Sequence, residues 1–406
     1  MSELLIRPSH NDHRLIESLL TTSSEVRQLR PVINRLVVDA QVAVKQPLFA
    51  QAAEASGTPL LIDPLTFFFQ AEMRSEDPWR QLPFAYDNPL SAQDLEDPEL
   101  QEEIIANVIE FEIQNGATGL IAPYVLLNED PRLLQVNRSL LRGTREYMEA
   151  HDLQLPLVPV FAMLASRTVA GIPLRRVLEL IAEDLNAVGA SSVALAVSGT
   201  GTANDSPDRV QMVLFGTTQL TSAGLNVIAW RQGLLGPVAV ASGAAGYECG
   251  IGIREQCDLV SLQRSRRPGP KRSSFASPAG VFIQPLGRSF SRAIAKALLD
   301  DQKLRPRLVC DNEGCCPKGS ESMLIHPRPH AVFSRSRALS ELDRMPSREW
   351  RLNAVAREAE SGAVLADLAS RILLDGGRSE VINSRGLNSI ALAADLVREE
   401  GNRAAS

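Results

Sequence analysis

Short apolar runs rich in β-branched residues alternate along the chain with longer segments that have the hydrophobic spacing of helices. Runs that are apolar at nearly every position are typical of parallel strands covered on both faces. Strict strand–helix alternation therefore predicts an α/β fold, a (β/α)8 barrel of the TIM type. A doubly wound open sheet is the alternative, although no G-x-G-x-x-G motif follows the first run. The eight predicted strands are RLVVDAQ (35–41), TPLLIDP (58–64), TGLIAPYVLL (118–127), LPLVPVFAML (155–164), SSVALAVSG (191–199), LNVIAWRQG (225–233), GYECGIG (246–252) and GVFIQPLG (280–287).

The same pattern divides the chain into four predicted parts. Its 406 residues, 44% of them hydrophobic, are enough to bury a large core. No apolar run reaches the roughly 18 residues that cross a bilayer, and no signal-peptide apolar region is visible. The five cysteines are an odd number without the spacing of a disulfide framework, so we expect a cytoplasmic, reducing setting. The parts are an N-terminal helical segment (1–30), the barrel (31–300), a Cys3His module with a helix (301–350) and a C-terminal helical extension (351–406).

Polar side chains stand where the predicted strands end. In a parallel barrel these carboxyl ends form the active-site face, so together they predict a substrate site. Each residue alone also fits a structural role: Glu248 as a salt-bridge partner of Arg254 or Arg231, and Asp63 as a helix N-cap. The strand-end residues are Asp39, Gln41, Asp63, Ser198, Arg231, Gln232 and Glu248.

Basic residues concentrate after the seventh predicted strand. The formal net charge of the chain is −6, which gives no global sign of nucleic-acid binding. The Pro/Ser/Gly-rich loop over residues 266–280 is nevertheless basic, and it is either a solvated loop or an arm that contacts phosphates of DNA or RNA. The predicted nucleic-acid contacts are Arg264, Arg266, Arg267, Lys271 and Arg272.

The stretch CDNEGCCPKGSESMLIHPRPH (310–330) holds three of the five cysteines and two of the five histidines. Three thiolates and one imidazole are a ligand set that Zn²⁺ accepts in a closed, structural site. The sequence therefore predicts a zinc ion held by Cys310, Cys315, Cys316 and His330. His326 is the rival fourth ligand, and thiols without metal are the alternative interpretation.

Several motifs, in order, resemble the tRNA-guanine transglycosylases, zinc-containing α/β barrels that exchange a base in nucleic acid. The segment LLIDPLTFFFQ (60–70) is similar to the family's Asp-Ser-Gly-Gly-(Phe/Tyr)-Gln signature, without its glycines. VALAVSG (193–199) is similar to the family's Gly-Leu-Ala-Val-Gly strand, and GAAGYECG (243–250) to its Gly…Phe-Asp-Cys nucleophile motif. A three-Cys group and a His that opens a long helix follow in both. The resemblance runs from about residue 58 to 360.

The resemblance implies glycosidic chemistry in which one carboxylate traps the sugar covalently. A second acid protonates the leaving base or deprotonates the incoming one. Glu248 takes the nucleophile position and Asp63 the acid/base position, while Tyr247 or Phe69 stacks on the flipped base. Arg231 is expected to hold a phosphate or carboxylate. Asp39, Gln70 and Ser198 complete the expected substrate contacts.

Three functions remain open at this point. The first is base exchange, with relatives that insert 7-deazaguanines into DNA as the nearer comparison, because no carboxylate stands in APYVLL (122–127) or VFAML (160–164) to read a guanine. The second is a barrel hydrolase or lyase that uses the same carboxylates on a small molecule. The third is a catalytically degenerate subunit of a nucleic-acid modification or defence complex, with partner subunits.

Overall fold

The computed structural model describes residues 1–21, 30–252, 255–268, 280–377 and 382–405. Eight parallel strands form one curled sheet in the order β3-β2-β1-β10-β9-β8-β5-β4. Within the described ranges no helix is both long and apolar enough to cross a membrane. The strands of this sheet are β1 (Glu3–Arg7), β2 (Arg35–Asp39), β3 (Leu60–Asp63), β4 (Leu126–Leu127), β5 (Val160–Leu164), β8 (Ser192–Ser198), β9 (Asn226–Ala229) and β10 (Gly246–Gly250).

The two ends of this sheet meet through the segment that leads into β4. Leu61 of β3 bridges in parallel to Gly119, and Leu120 bridges in parallel to Leu157, just before β5. The Thr118 amide donates to the Leu60 carbonyl at 2.9 Å, and the Leu120 amide donates to the Pro156 carbonyl at 2.8 Å. The ring is thereby closed, which confirms the predicted (β/α)8 fold class.

Each barrel strand is followed by at least one helix that covers the outer face of the sheet. Local signals set the helix ends: the Asp97 carboxylate accepts from the Glu99 amide ahead of Pro98, and Gly57 takes the left-handed conformation that ends its helix. The barrel helices are α1 (His13–Thr21), α2 (Ala40–Lys45), α3 (Leu48–Ser56), α4 (Pro98–Gln114), α5 (Arg132–Ala150), α6 (Leu174–Ala187), α7 (Pro207–Ser222), α8 (Gly236–Ala241) and α9 (Leu259–Ser265).

Seven of the eight predicted strands lie in the barrel, and the prediction is wrong at both ends of the ring. Residues 1–30 were expected to be helical, but Glu3–Arg7 forms the first barrel strand, paired with β10 on one side and β2 on the other. Residues 280–287 were expected to supply the eighth strand. They instead contain β11 (Val281–Ile283), which pairs antiparallel with β12 (Arg288–Phe290) outside the barrel.

The hairpin of β11 and β12 opens a C-terminal unit with its own hydrophobic cluster, built from this hairpin, Cys315, Cys316 and the last helices. Ser347 caps the longest helix by accepting from the Trp350 amide. A further two-residue hairpin, β6 (Thr168–Val169) with β7 (Ile172–Pro173), lies after β5. The helices of the unit are α10 (Arg292–Asp300), α11 (Arg305–Leu308), α12 (Ser320–Ile325), α13 (Pro327–Asp343), α14 (Arg348–Asp375) and α15 (Arg385–Ala405).

Candidate functional site

A buried cluster of charged side chains, the arginine centre, fills the interior of the barrel at the carboxyl ends of its strands. Strand pairing places Asp39 directly beside Asp63 and brings β1 beside β10. Active sites of (β/α)8 enzymes lie at this end of the barrel. Every member is at most 2% exposed. The centre consists of Arg7, Asp39, Asp63, Arg231 and Glu248.

The Arg7 guanidinium holds three carboxylates at once. Its Nε donates to Glu248 Oε1 at 2.9 Å and its Nη2 donates to Oε2 at 3.1 Å. Nη1 is bonded to Asp39, and Nη2 lies 2.9 Å from Asp63 Oδ2. Two carboxylates that the sequence assigned to one reaction, Asp63 and Glu248, therefore do face one shared group.

Arg231 joins the centre from the end of β9. Its Nη2 lies 3.3 Å from Asp39 Oδ1 and 3.5 Å from Asp63 Oδ2, while its backbone amide donates to Glu248 Oε2 at 3.0 Å. Arg231 also has a φ of 58°, in the left-handed region that a non-glycine residue rarely adopts. Such strain is typical of functional sites, because the surrounding structure must hold it in place.

The two catalytic candidates, Asp63 and Glu248, differ in how many of their carboxylate oxygens accept hydrogen bonds. Both Glu248 oxygens accept hydrogen bonds, from Arg7 and from the Arg231 amide. Asp63 Oδ1 accepts from the Tyr124 hydroxyl at 2.8 Å and from the Leu65 amide at 3.0 Å. Asp63 Oδ2 accepts no hydrogen bond from the described residues. This oxygen nevertheless lies 2.9 Å from Arg7 Nη2 and 3.5 Å from Arg231 Nη2, so it is ion-paired, although it is the one oxygen of the Asp63–Glu248 pair that accepts no hydrogen bond from the described residues.

The surroundings in the centre favour the charged form of the Arg7 side chain and the neutral form of the Tyr124 side chain. Burial alone disfavours a guanidinium, but Glu248, Asp63 and Asp39 raise the pKa of Arg7 well above its ordinary value. Burial, followed by the nearby Asp63 charge, raises the pKa of Tyr124 well above its ordinary value. Tyr124 therefore stays a proton donor to Asp63.

Three further predicted substrate contacts have structural partners instead. The Gln70 side chain bonds both the amide and the carbonyl of Leu126, at 2.8 Å and 3.1 Å, and so fastens the β3 loop to β4. Phe69 packs edge-on against Trp79 and Tyr86 in an aromatic cluster. Ser198 Oγ accepts from the Leu259 amide at 3.0 Å, where it steadies the start of α9.

The side chain of Tyr247 does not share the barrel interior with that of Glu248. Neighbouring residues of a strand point to opposite faces, so Glu248 faces the barrel interior and Tyr247 faces outward. Its ring packs on Gly236 of α8, where an added Cβ would lie 2.2 Å from Tyr247 Cδ2. The predicted stacking of Tyr247 on a substrate base is therefore inconsistent with this position.

The basic residues after β10 differ in their exposure to solvent. Arg266 is half-buried, with its Nη1 2.5 Å from Asp77 Oδ1 and its guanidinium 4.4 Å from the Phe68 ring centroid. Arg264 and Arg267 are exposed. Lys271 and Arg272 lie outside the described residues. The nucleic-acid contacts predicted for these five positions stay a prediction.

Cys310, Cys315, Cys316 and His330 converge as the sequence predicts, with all four ligand atoms within 4.8 Å of one another. The sulfur atoms of Cys310 and Cys315 are 3.7 Å apart, close to the roughly 3.8 Å between two thiolates on a tetrahedral zinc. Cys316 Sγ lies 3.3 Å from His330 Nδ1. Hydrogen bonds among the thiols lower the pKa of Cys310 and raise the pKa of Cys315 and of Cys316, as expected when three thiols share one thiolate. These four residues could hold a metal ion, and His326 is not among them.

The second ring nitrogen of His330 connects the Cys3His cluster to the hairpin. His330 Nε2 lies 2.8 Å from the Phe282 carbonyl, an arrangement that leaves Nδ1 free for a metal. One helical turn further, Arg335 Nη1 donates to the Gly233 carbonyl at 2.7 Å and Nη2 to Glu255 at 2.6 Å. Helix α13 therefore joins the cluster to loops that follow β9 and β10.

A cleft of about 480 Å³ opens at the carboxyl ends of β8, β9 and β10. Arg231 belongs both to its wall and to the arginine centre, so the cleft adjoins the centre. The hairpin forms the opposite wall with Arg288 and Ser289.

Sequence reasoning missed Arg7 and Tyr124. The run ELLIR (3–7) has the same form as RLVVD (35–39), an apolar stretch that ends in a charge, and this likeness was the available signal for Arg7. Tyr124 stands in an apolar run with no spacing that marks it. Its role depends on the parallel bridge between Leu61 of β3 and Gly119, which are far apart in the sequence.

Comparisons with known proteins identify no family for this chain. No protein-family model matches the sequence, and no curated protein matches it. Among solved structures, a putative copper homeostasis protein from Streptococcus agalactiae is 10% identical, with a TM-score of 0.36 over 62% of this chain and 98% of that one. The 3-dehydroquinate dehydratase of Enterococcus faecalis is 12% identical, with a TM-score of 0.34 over 65% and 92%. The YdjI aldolase of Escherichia coli K12 is 11% identical, with a TM-score of 0.37 over 84% and 90%. At this level of similarity the matches carry no argument about fold or activity.

Proposed function

We propose that the protein is a barrel enzyme, a hydrolase or lyase, that performs acid–base chemistry on a small molecule at its arginine centre. The observation that carries the proposal is Asp63 Oδ2, which is ion-paired with Arg7 and Arg231 but accepts no hydrogen bond from the described residues. For Asp63 to accept a proton, a substrate must displace its contacts with Arg7 and Arg231, and the cleft that Arg231 lines adjoins the centre.

Each residue of the centre has a distinct part in this proposal. Asp63 takes the proton from the substrate through Oδ2. The Tyr124 hydroxyl holds the other Asp63 oxygen, and Arg7 keeps Asp63, Asp39 and Glu248 in one geometry. Glu248 acts as a positioning residue, because both of its oxygens are already occupied.

A screen for turnover of small molecules tests the role of Asp63. The full chain is incubated in D2O with a panel of small phosphorylated and carboxylated compounds, and proton exchange and product formation are followed by NMR. Asp63→Asn should lower the rate by about 10²-fold or more, the range for loss of a general acid–base group. Asp208→Asn, at an exposed position of α7, is the control and should keep the rate. An Asp63→Asn variant as fast as the unchanged protein rules out this proposal.

Base exchange in nucleic acid is the second candidate, favoured by the convergence of Asp63 and Glu248 on one arginine. Two carboxylates at one sugar are what a covalent glycosyl mechanism requires. For Glu248 to act as the nucleophile, Arg7 must release it. Labelled guanine or a 7-deazaguanine, incubated with protein and with duplex DNA, single strands or tRNA, should then enter the polymer. Glu248→Gln should abolish that incorporation, and no incorporation into any polymer contradicts this candidate.

We also propose that the Cys3His cluster holds one structural zinc. Its four ligands leave no coordination position for water, so the ion would stabilise the C-terminal unit without taking part in the reaction. Metal analysis of the purified chain should give one zinc per molecule. A different metal, or none, contradicts the assignment.

A further inference from the structure

The wall of the cleft contains two arginines and several small residues. Loops after three neighbouring strands and the β11–β12 hairpin build it. Glycines give a ligand close access to the backbone, and Gly201, with a φ of 82°, sits where other residues are strained. The residues that matter here are Gly201, Arg231, Gly252, Arg288 and Ser289.

Two arginines of this wall have unused bonding capacity. Arg231 Nε is buried and has no hydrogen-bond partner among the described residues. Arg288 forms no ion pair with a carboxylate of the described chain, and its guanidinium instead lies 4.6 Å from the Phe290 ring centroid. Burial lowers the pKa of Arg288, as expected for a guanidinium without an acidic partner.

The acidic residues of the wall are already engaged. Glu255 Oε1 accepts from Arg335 at 2.6 Å and from the Ser289 hydroxyl at 3.1 Å. Asp258 Oδ1 caps α9 by accepting from the Ser261 amide at 2.9 Å. The charged residues of the wall are therefore two arginines, Arg231 and Arg288, and two carboxylates that already have partners of their own.

The structure assigns to this cleft the binding of the phosphate group of a small phosphomonoester, with Arg231 and Arg288 as its cationic ligands. Guanidinium groups bind phosphate oxygens in pairs of parallel hydrogen bonds. The loops after the seventh and eighth barrel strands, here β9 and β10, are where (β/α)8 enzymes commonly bind phosphate. A volume of about 480 Å³ suits a small molecule. This inference rests on the proposed function, because it names the class of substrate that the proposed enzyme would bind beside its arginine centre.

Binding without turnover tests it. The full chain is titrated by calorimetry with inorganic phosphate, with ribose 5-phosphate and with a single-stranded oligonucleotide. Ribose 5-phosphate should bind, and Arg288→Gln should weaken it about tenfold or more, the loss expected for a charged hydrogen bond. Arg292→Ala, an exposed arginine nearby on α10, is the matched control and should bind normally. Arg288→Lys, which keeps the charge, should recover part of the affinity and guards against a folding defect.

The outcomes separate this inference from the proposed function. If Asp63→Asn stops turnover but neither phosphate compound binds, the phosphate site is wrong and the acid–base role stands. If ribose 5-phosphate binds through Arg288 while Asp63→Asn leaves turnover unchanged, the phosphate site stands and the acid–base role is wrong. Oligonucleotide binding that depends on Arg288, without binding of either small phosphate, overturns the inference in favour of a nucleic-acid contact.

Discussion

The arginine centre and the Cys3His cluster are both buried groups of side chains that bind one another, yet they come from the sequence in opposite ways. The cluster draws its ligands from 21 consecutive residues, Cys310 to His330. The centre draws four side chains from strands β1, β2, β3 and β10. The fifth, Arg231, comes from the loop after β9. A local group can be recognised by spacing, whereas a dispersed group exists only once the barrel has closed.

The two groups also balance charge differently. In the centre, two arginines of the chain face three carboxylates. In the cluster, thiolates need a cation from outside the chain. Removal of one side chain should therefore leave uncompensated buried charge in the centre, and should release the metal from the cluster.

The largest expected effect is that of Arg7→Met. Three buried carboxylates would share one arginine, and loss of one partner from a buried ion pair costs about 3–5 kcal/mol. The free energy of unfolding, measured with urea, should fall by that amount. Arg35→Met is a matched control at the opposite end of the same strand pair, because the Arg35–Glu3 bridge is partly exposed and worth about 1 kcal/mol or less.

A rescue variant sharpens this result. Glu248→Gln added to Arg7→Met removes one unpaired carboxylate and should restore part of the lost stability. Equal effects of Arg7→Met and Arg35→Met, or no rescue, contradict the view that charge balance governs the centre.

The contrast explains what the sequence could predict. Alternation of apolar runs and helices was enough for the barrel, and the Cys and His spacing was enough for the cluster, including the choice of His330. Arg7 was hidden because residues 1–30 contain only one short apolar run, and nothing local shows that this run fills the gap between β10 and β2. The outward orientation of Tyr247 follows from strand periodicity alone and could have been predicted.

Loss of the fourth metal ligand is the next effect in size. His330→Ala should remove the bound metal and lower the melting temperature by about 2–4 °C, as expected for a loss of about 2–3 kcal/mol in a chain of this size. His326→Ala is the matched control, because His326 is exposed and lies outside the cluster. Metal analysis and thermal unfolding are measured on both. Loss of metal from His326→Ala with retention in His330→Ala would reverse the ligand assignment.

A smaller effect should pass from the cluster to the cleft. His330 lies 2.8 Å from the Phe282 carbonyl on β11, and β11 pairs with the strand that begins at Arg288. Metal removal by a chelator should loosen the hairpin and weaken ribose 5-phosphate binding about threefold, less than the tenfold loss from Arg288→Gln. Arg7→Met should leave the metal content unchanged. Unaltered phosphate affinity in the metal-free protein would show that the two regions are independent.

The smallest effect concerns Glu112, a buried carboxyl on α4 whose Oε2 accepts from the Ile121 amide at 2.9 Å. Burial raises its pKa well above the ordinary value, so its protonated form favours folding below the unfolded pKa of about 4.3, and that contribution is lost as pH rises through the folded value. Glu112→Gln should therefore melt at a higher temperature than the unchanged protein at pH 8 and at nearly the same temperature at pH 4. Thermal unfolding between pH 4 and 8 measures this difference, with exposed Glu102→Gln on the same helix as control. A difference that stays constant with pH would show that ionisation of Glu112 does not oppose folding.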